Sequence, residues 1–188
     1  GRVLLSAFSI LILVLAVWAV NRSPATNWVA WLLAVPAVAL IIWATLKPGA
    51  EVMVWANLLE GLLYFYTAGS LIAYMLSDYQ VTTDELFAIG ATFTLMAWGY
   101  AYVYLACQGF IQDSFVRVVT GSGSLSLIDM LSLSFTNLTA TGISDVLPAN
   151  PWSKVLIMLT QFTGVGYVAI VVSRLVGLTL QGRRNKKG

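Results

Sequence analysis

The sequence predicts an all-α integral membrane protein. Of its 188 residues, 59% are hydrophobic and only 10% are charged, whereas a soluble domain carries about 25% charged residues. About five segments are long enough to cross a bilayer, whose core accommodates roughly 20 apolar residues in a helix. A shorter helix and an irregular loop lie between the last two segments, which indicates a re-entrant element rather than a sixth span.

The predicted spans are separated by turn residues such as Pro24, Pro48 and Asp78, which interrupt apolar helices. They are Val3–Val20, Trp28–Leu46, Val52–Leu76, Leu86–Cys107 and Trp152–Leu180. The first three form an N-terminal unit, residues 1–80, and the other two flank the re-entrant element in a second unit, residues 84–182.

The re-entrant element consists of a helix, Leu125 to Leu138, that is too short to span, and an irregular loop after it. Irregular backbone at membrane depth survives only where it is buried in protein or lines water, because lipid cannot satisfy its N–H and C=O groups. The carbonyl groups of such a loop are suited to binding ions. This order of elements therefore favours an ion-conducting pore.

The chain from Leu131 to Val172 resembles the pore domain of the tetrameric potassium-channel superfamily. The family consensus S-x-x-T-x-T-T-V-G-Y-G-D aligns without a gap on residues 134–145, Pro148 stands at the family's proline, and Gly164 at its hinge glycine. The resemblance implies that residues 84–182 contain an outer helix, turret, pore helix, filter and inner helix. It also implies a homotetramer, since one chain supplies one loop, and a passive cation channel.

The filter expected from this resemblance comprises Thr139, Ala140, Thr141, Gly142, Ile143, Ser144 and Asp145. The backbone carbonyls of residues 140–144 would replace the hydration shell of potassium, or alternatively sodium. We expect no cofactor and no metal other than these permeant monovalent cations.

Three departures of the filter from the family pattern, and one in the helix before it, bear on its function. Ala140 replaces a threonine whose hydroxyl lines the innermost ion site, and Ile143 replaces a tyrosine that braces the filter. Ser144 replaces a left-handed glycine, at a cost of about 1 kcal/mol if that conformation is kept. Asp145 is retained, but Thr136 stands where its carboxylate neighbour usually lies. Cation conduction is expected, whereas strict potassium selectivity does not follow.

The inner helix carries the residues expected to line and gate the pore. Val165, Val168 and Val172 share one helical face, and a ring of valines closes a pore by dewetting. Gly164 and Gly166 have two interpretations that the sequence leaves open: a bend in the helix or close helix packing.

Glu60 lies inside the third span with Asn57 on the same face. A buried ionisable group is costly unless it is paired or neutral. One interpretation is a protonated carboxyl group bonded to a neighbouring helix, such as the one that carries Tyr100, Tyr102 and Tyr104. The other is a proton- or ion-sensitive role.

The distribution of charge predicts topology. The basic tail, residues 183–187, indicates a cytoplasmic C-terminus of a multi-pass protein in the bacterial plasma membrane, with anionic lipid head groups as partners. No span carries arginines at every third position, so we expect no voltage gating. Asp113 and Arg117 are interpreted as solvated charges in an exposed, mobile turret loop, residues 108–124.

Other functions are less compatible with the sequence. The absence of histidine argues against the usual zinc site and the commonest catalytic base, so no enzyme is expected. We expect no nucleic-acid partner either. Two alternatives remain: a non-conducting, channel-like membrane scaffold, and a secondary transporter that uses Glu60. Transporters usually contain repeated halves, and this chain has no internal repeat.

Overall fold

The structure is a computed structural model that describes residues 32, 35–40, 42–43, 50–77, 83–118 and 124–185. From residue 50 onward its elements are α1 (Ala50–Ser77), α2 (Thr83–Phe110), β1 (Phe115–Arg117), α3 (Leu127–Leu138), β2 (Val146–Pro148) and α4 (Pro151–Asn185). The predicted span Val3–Val20 and much of Trp28–Leu46 lie outside the described residues, as do the side chains of the basic tail.

Two of the described helices are long and apolar enough to cross a membrane, over Glu51–Leu76 and Pro151–Gly177. They correspond to the third and fifth predicted spans. Helix α2 contains the fourth, Leu86–Cys107, but does not meet the same criterion, since hydroxyl-bearing residues such as Thr92 and Tyr102 lower its hydropathy. The prediction of five spans is therefore not confirmed as a count.

Helices α1 and α2 pack side by side in opposite directions. Trp55 in the first turns of α1 meets Phe110 at the end of α2, edge to face, with ring centroids 5.6 Å apart. Further along, a Cβ atom on Gly61 would lie 3.2 Å from the carbonyl oxygen of Gly99. Small residues at this crossing allow the two backbones to approach closely.

Hydroxyl groups join α2 to α4. Hydrogen bonds form in the pairs Tyr100–Thr163, Tyr104–Thr160 and Tyr167–Ile89, the last to a backbone carbonyl. Polar side chains in apolar helices find partners across such interfaces because lipid offers none. The outer and inner helices of the predicted pore unit are thus fixed relative to each other.

Helix α3 is the short helix predicted between the last two spans, and it begins at Leu127 rather than at Leu125. The reason is a capping box: Ser126 Oγ accepts the backbone N–H of Asp129, and the Asp129 carboxylate accepts the N–H of Ser126 at 2.8 Å. These bonds satisfy the free N–H groups of the first turn. One side of α3 packs into a core shared with α2 and both strands, formed by Ala101, Tyr104, Phe115, Leu125, Met130, Leu133 and Val146.

Candidate pore loop

The predicted filter residues, 139–145, form an irregular segment between the end of α3 and strand β2. Most of them are exposed in the single chain, and Ile143 has 81% of its surface accessible. Helix α3 points its C-terminal end, which carries roughly half a negative charge, at the start of this segment. The order of short helix, loop and long helix is as the sequence predicted.

The first half of the loop folds back onto the helix it leaves. The Thr136 carbonyl oxygen accepts the backbone N–H groups of Thr141 and Gly142, both at 3.0 Å, and the Thr141 hydroxyl at 3.1 Å. The Thr139 hydroxyl donates to the Phe135 carbonyl at 2.9 Å. We call residues 136–142 the inner limb. All of these bonds join residues that are close in sequence.

The left-handed residues of the loop are Ala140, with φ 56°, and Gly142, with φ 64°. Ser144, which stands at a left-handed glycine of the family pattern, does not take that conformation. Thr139 caps α3, so Ala140 occupies the next position, where helices commonly turn left-handed to end. Ser144 instead uses its hydroxyl to accept the N–H of Val146 at 3.1 Å.

The second half of the loop is paired with the turret. Strands β1 and β2 are antiparallel, with Phe115 opposite Pro148 and Arg117 opposite Val146. The Val118 N–H donates to the Asp145 carbonyl at 2.8 Å. We call residues 145–150 the outer limb. The prediction of an exposed turret loop is wrong for residues 114–117, which are buried or half-buried; its mobility stays a prediction, and residues 119–123 lie outside those described.

Asn150 continues this pairing into α4. The Ala149 N–H donates to the Ser114 carbonyl at 2.9 Å, and the Asn150 side chain donates to the Ser114 hydroxyl at 2.8 Å. Asn150 also accepts the Ser153 N–H at 2.9 Å, which caps α4. The turret therefore positions both the outer limb and the start of the inner helix.

Arg117 is the functional candidate that sequence reasoning missed. Its guanidinium lies 2.5 Å from the Asp129 carboxylate and 3.4 Å from that of Asp145, so its interpretation as a solvated charge is wrong. A signal was present: Asp145 lacks its usual carboxylate neighbour, and Arg117 is the only basic residue between Gln108 and Asp145. Their separation along the chain concealed the contact.

Gly164 is a packing residue. A Cβ atom there would lie 2.0 Å from the Leu138 carbonyl oxygen, whereas one on Gly166 would meet no atom within 4 Å. Helix α4 continues through both positions. Nearby, the Gln161 side chain donates to Asn137 at 3.0 Å. The inner helix therefore lies against the last turn of α3, directly below the inner limb.

The three valines predicted to line the pore are only about half covered by the part of the chain that the structure describes. Val165, Val168 and Val172 have 57%, 49% and 52% of their surface accessible. Their exposure leaves this face of α4 available to another surface, and their pore-lining role stays a prediction.

Glu60 lies between α1 and α2 rather than at the loop. It is 4% exposed, and its carboxyl group accepts a hydrogen bond from the Tyr102 hydroxyl. Tyr64 stacks on Tyr102 with ring centroids 5.6 Å apart, and Asn57 is half-buried on the same helix. This contact favours the interpretation in which Glu60 is bonded to the neighbouring helix.

Comparison with known proteins agrees with this geometry. Residues 90–181 match a family model described as an ion channel. The match supports an ion channel. It extends from α2 through the loop into α4, and it supports a potassium-channel-like pore region in a membrane protein. Searches of curated proteins and of solved structures give no significant match.

Proposed function

We propose that the chain forms a homotetrameric, potassium-channel-like cation channel in which four copies of residues 139–145 make the filter. The observation that carries this proposal is the irregular loop between α3 and α4, folded back on α3 by the Thr136 carbonyl. That loop lies within the segment that matches the ion-channel family. An exposed loop of this kind needs other copies around it, since lipid cannot satisfy its backbone.

Conduction follows from the backbone. The carbonyls of residues 140–144, arranged in fourfold rings, replace the hydration shell of a monovalent cation. The negative ends of four α3 helices stabilise the cation below the filter. Potassium is the expected ion. Because Ala140 contributes no hydroxyl at the innermost site, sodium permeation is tolerated. Neither a cofactor nor a further metal takes part.

The rest of the chain supports the pore. Val165, Val168 and Val172 face the lumen and form a hydrophobic constriction, and their exposure in the single chain supports this. Gating is independent of voltage. The protein belongs in a bacterial plasma membrane with its C-terminus in the cytoplasm, where residues 183–187 contact anionic head groups.

The test is cation flux into liposomes that contain the purified protein, with potassium, sodium and N-methylglucamine compared in parallel. Gly142→Asp should abolish potassium flux, because it places a side chain at a left-handed residue and a charge in the filter. Gly166→Ala is the matched control, since its Cβ meets no atom. Wild-type flux that survives Gly142→Asp would remove the loop from the conduction path.

The oligomeric state separates the alternatives. A verified tetramer without flux would favour the non-conducting scaffold. A monomer or dimer whose transport is lost in Glu60→Gln would favour the secondary transporter. For a channel, Glu60→Gln should leave flux unchanged, because the amide oxygen still accepts the hydrogen bond from Tyr102.

A further inference from the structure

We infer that Arg117 is a positioning residue of the filter: by binding Asp129 and Asp145 together, it holds the outer end of the filter against the start of α3 and so sets ion selectivity. This inference rests on the proposed channel function. It concerns a turret residue that contacts neither the ion nor the inner limb.

The loop can reach the N-terminal end of α3. Helix α3 has 12 residues and is about 18 Å long. The seven residues 139–145, if extended, cover about 23 Å, so the loop is long enough to run back beside the whole helix. Asp145 does return to the N-terminal end of α3, because Arg117 contacts both Asp145 and Asp129.

The proposed filter is therefore attached to α3 at both ends of that helix. At the C-terminal end, the Thr136 carbonyl holds Thr141 and Gly142. At the N-terminal end, Arg117 holds Asp145. Ion coordination depends on carbonyl spacing, and a segment fixed at two points keeps that spacing better than one fixed at a single point.

Arg117 is itself firmly held. It belongs to β1, whose first residue, Phe115, is fully buried, and the residue after Arg117, Val118, donates its N–H to the Asp145 carbonyl. A guanidinium group presents several N–H donors in one plane and is suited to two carboxylates at once, whereas a lysine ammonium is a compact point charge. Arginine is thus the residue type that this geometry requires.

Asp129 is a stable partner for Arg117. Partial burial alone raises the pKa of Asp129, but hydrogen bonds from Ser126 and the contact with Arg117 outweigh it, so the pKa lies below its ordinary value. The carboxylate consequently remains charged under ordinary conditions. Asp145 is more exposed, with 63% of its side chain accessible; its backbone is held by the Val118 N–H, and its carboxylate contacts Arg117.

The experiment measures potassium-to-sodium permeability ratios from reversal potentials, for wild type, Arg117→Gln and Arg117→Lys in planar bilayers. We expect Arg117→Gln to lower the ratio several-fold and Arg117→Lys to lower it less. Lys154→Gln is the matched control, because it removes an exposed positive charge at the same end of the molecule. A wild-type ratio in both Arg117 variants would overturn the inference.

Amide hydrogen exchange tests the positioning role of Arg117 separately from ion conduction. If wild type carries no flux, the channel proposal fails, and exchange still tests the role of Arg117. Faster exchange at Val118 and Val146 in the Arg117 variants, but not in Lys154→Gln, would support it. Unchanged exchange would overturn it. If Arg117→Gln does not assemble, Arg117→Lys and Asp145→Asn give the same two readouts.

Discussion

The two limbs of the loop are held in different ways. The inner limb is fixed by bonds to a helix carbonyl only a few residues earlier, at Thr136. The outer limb is fixed by residues of the turret, through the β1–β2 pairing and Arg117. The difference shows that one continuous loop combines locally encoded geometry with geometry supplied by distant residues.

The two limbs also differ in their sensitivity to substitution. Thr136 contributes its backbone carbonyl to the inner limb, and most side chains at that position would preserve this group. The outer limb depends on backbone pairing with β1 and, in addition, on the side chains of Arg117, Asp145 and Ser114, which single substitutions remove. Its geometry is therefore the easier one to alter without disturbing the helices.

The largest effect is expected where the inner helix supports the inner limb. Gly164→Ala introduces a Cβ against the Leu138 backbone, which cannot rotate away. Overpacking of this kind typically costs about 1–3 kcal/mol, so thermal unfolding of the purified protein should occur at a clearly lower temperature. Gly166→Ala should show no loss. Equal melting temperatures for both variants would contradict the observed contact.

A smaller effect is expected at the foot of the outer limb. Ser126→Ala removes the capping hydroxyl of α3, and loss of such a cap costs about 1 kcal/mol. It also leaves Asp129 with one hydrogen bond fewer beside Arg117. Exchange at the amide of Asp129 should accelerate, while that at Thr141, in the inner limb, should not. Acceleration at both would show that the limbs are not independent.

Ala140→Gly tests the left-handed backbone of the inner limb. Because Ala140 is left-handed, glycine relieves a backbone cost of about 1 kcal/mol, which is partly offset by the greater freedom of the unfolded chain. We expect thermal stability that is unchanged or slightly higher. Ala91→Gly, in the exposed surface of α2, should lower stability by about 1 kcal/mol. Equal losses in the two variants would contradict the left-handed conformation.

The smallest effect is expected when the pH is lowered. The pKa of Asp129 is lowered in the folded chain. The stability that its carboxylate contributes is therefore complete above the pKa of the unfolded chain, about 3.9, and is lost as the pH falls through the lower pKa of the folded chain. Exchange protection at the start of α3 should therefore be constant between about pH 8 and 5. Protection that is lost within this range would contradict the assignment of Asp129 as the charged partner of Arg117.

The candidate site was only partly predictable. The short helix and the loop follow from spacing along the chain, and the resemblance to a known family singled out Gly142 and Gly164. The left-handed backbone of Ala140 did not follow from either, because the family pattern directs attention to the glycine position held by Ser144, whereas Ala140 takes that conformation to end α3. Sequence left Gly164 open between bending and packing, and the contact with Leu138 supports packing.

The sequence by itself determined the membrane class, the order of helix, loop and helix, and the residues of the loop, since these depend on hydropathy and on local backbone constraints. Only the tertiary structure decided that Arg117 joins Asp129 and Asp145, that the turret pairs with the outer limb, and that Glu60 meets Tyr102. Each of these contacts joins residues distant along the chain, and their approach depends on how whole helices pack, which local patterns do not specify.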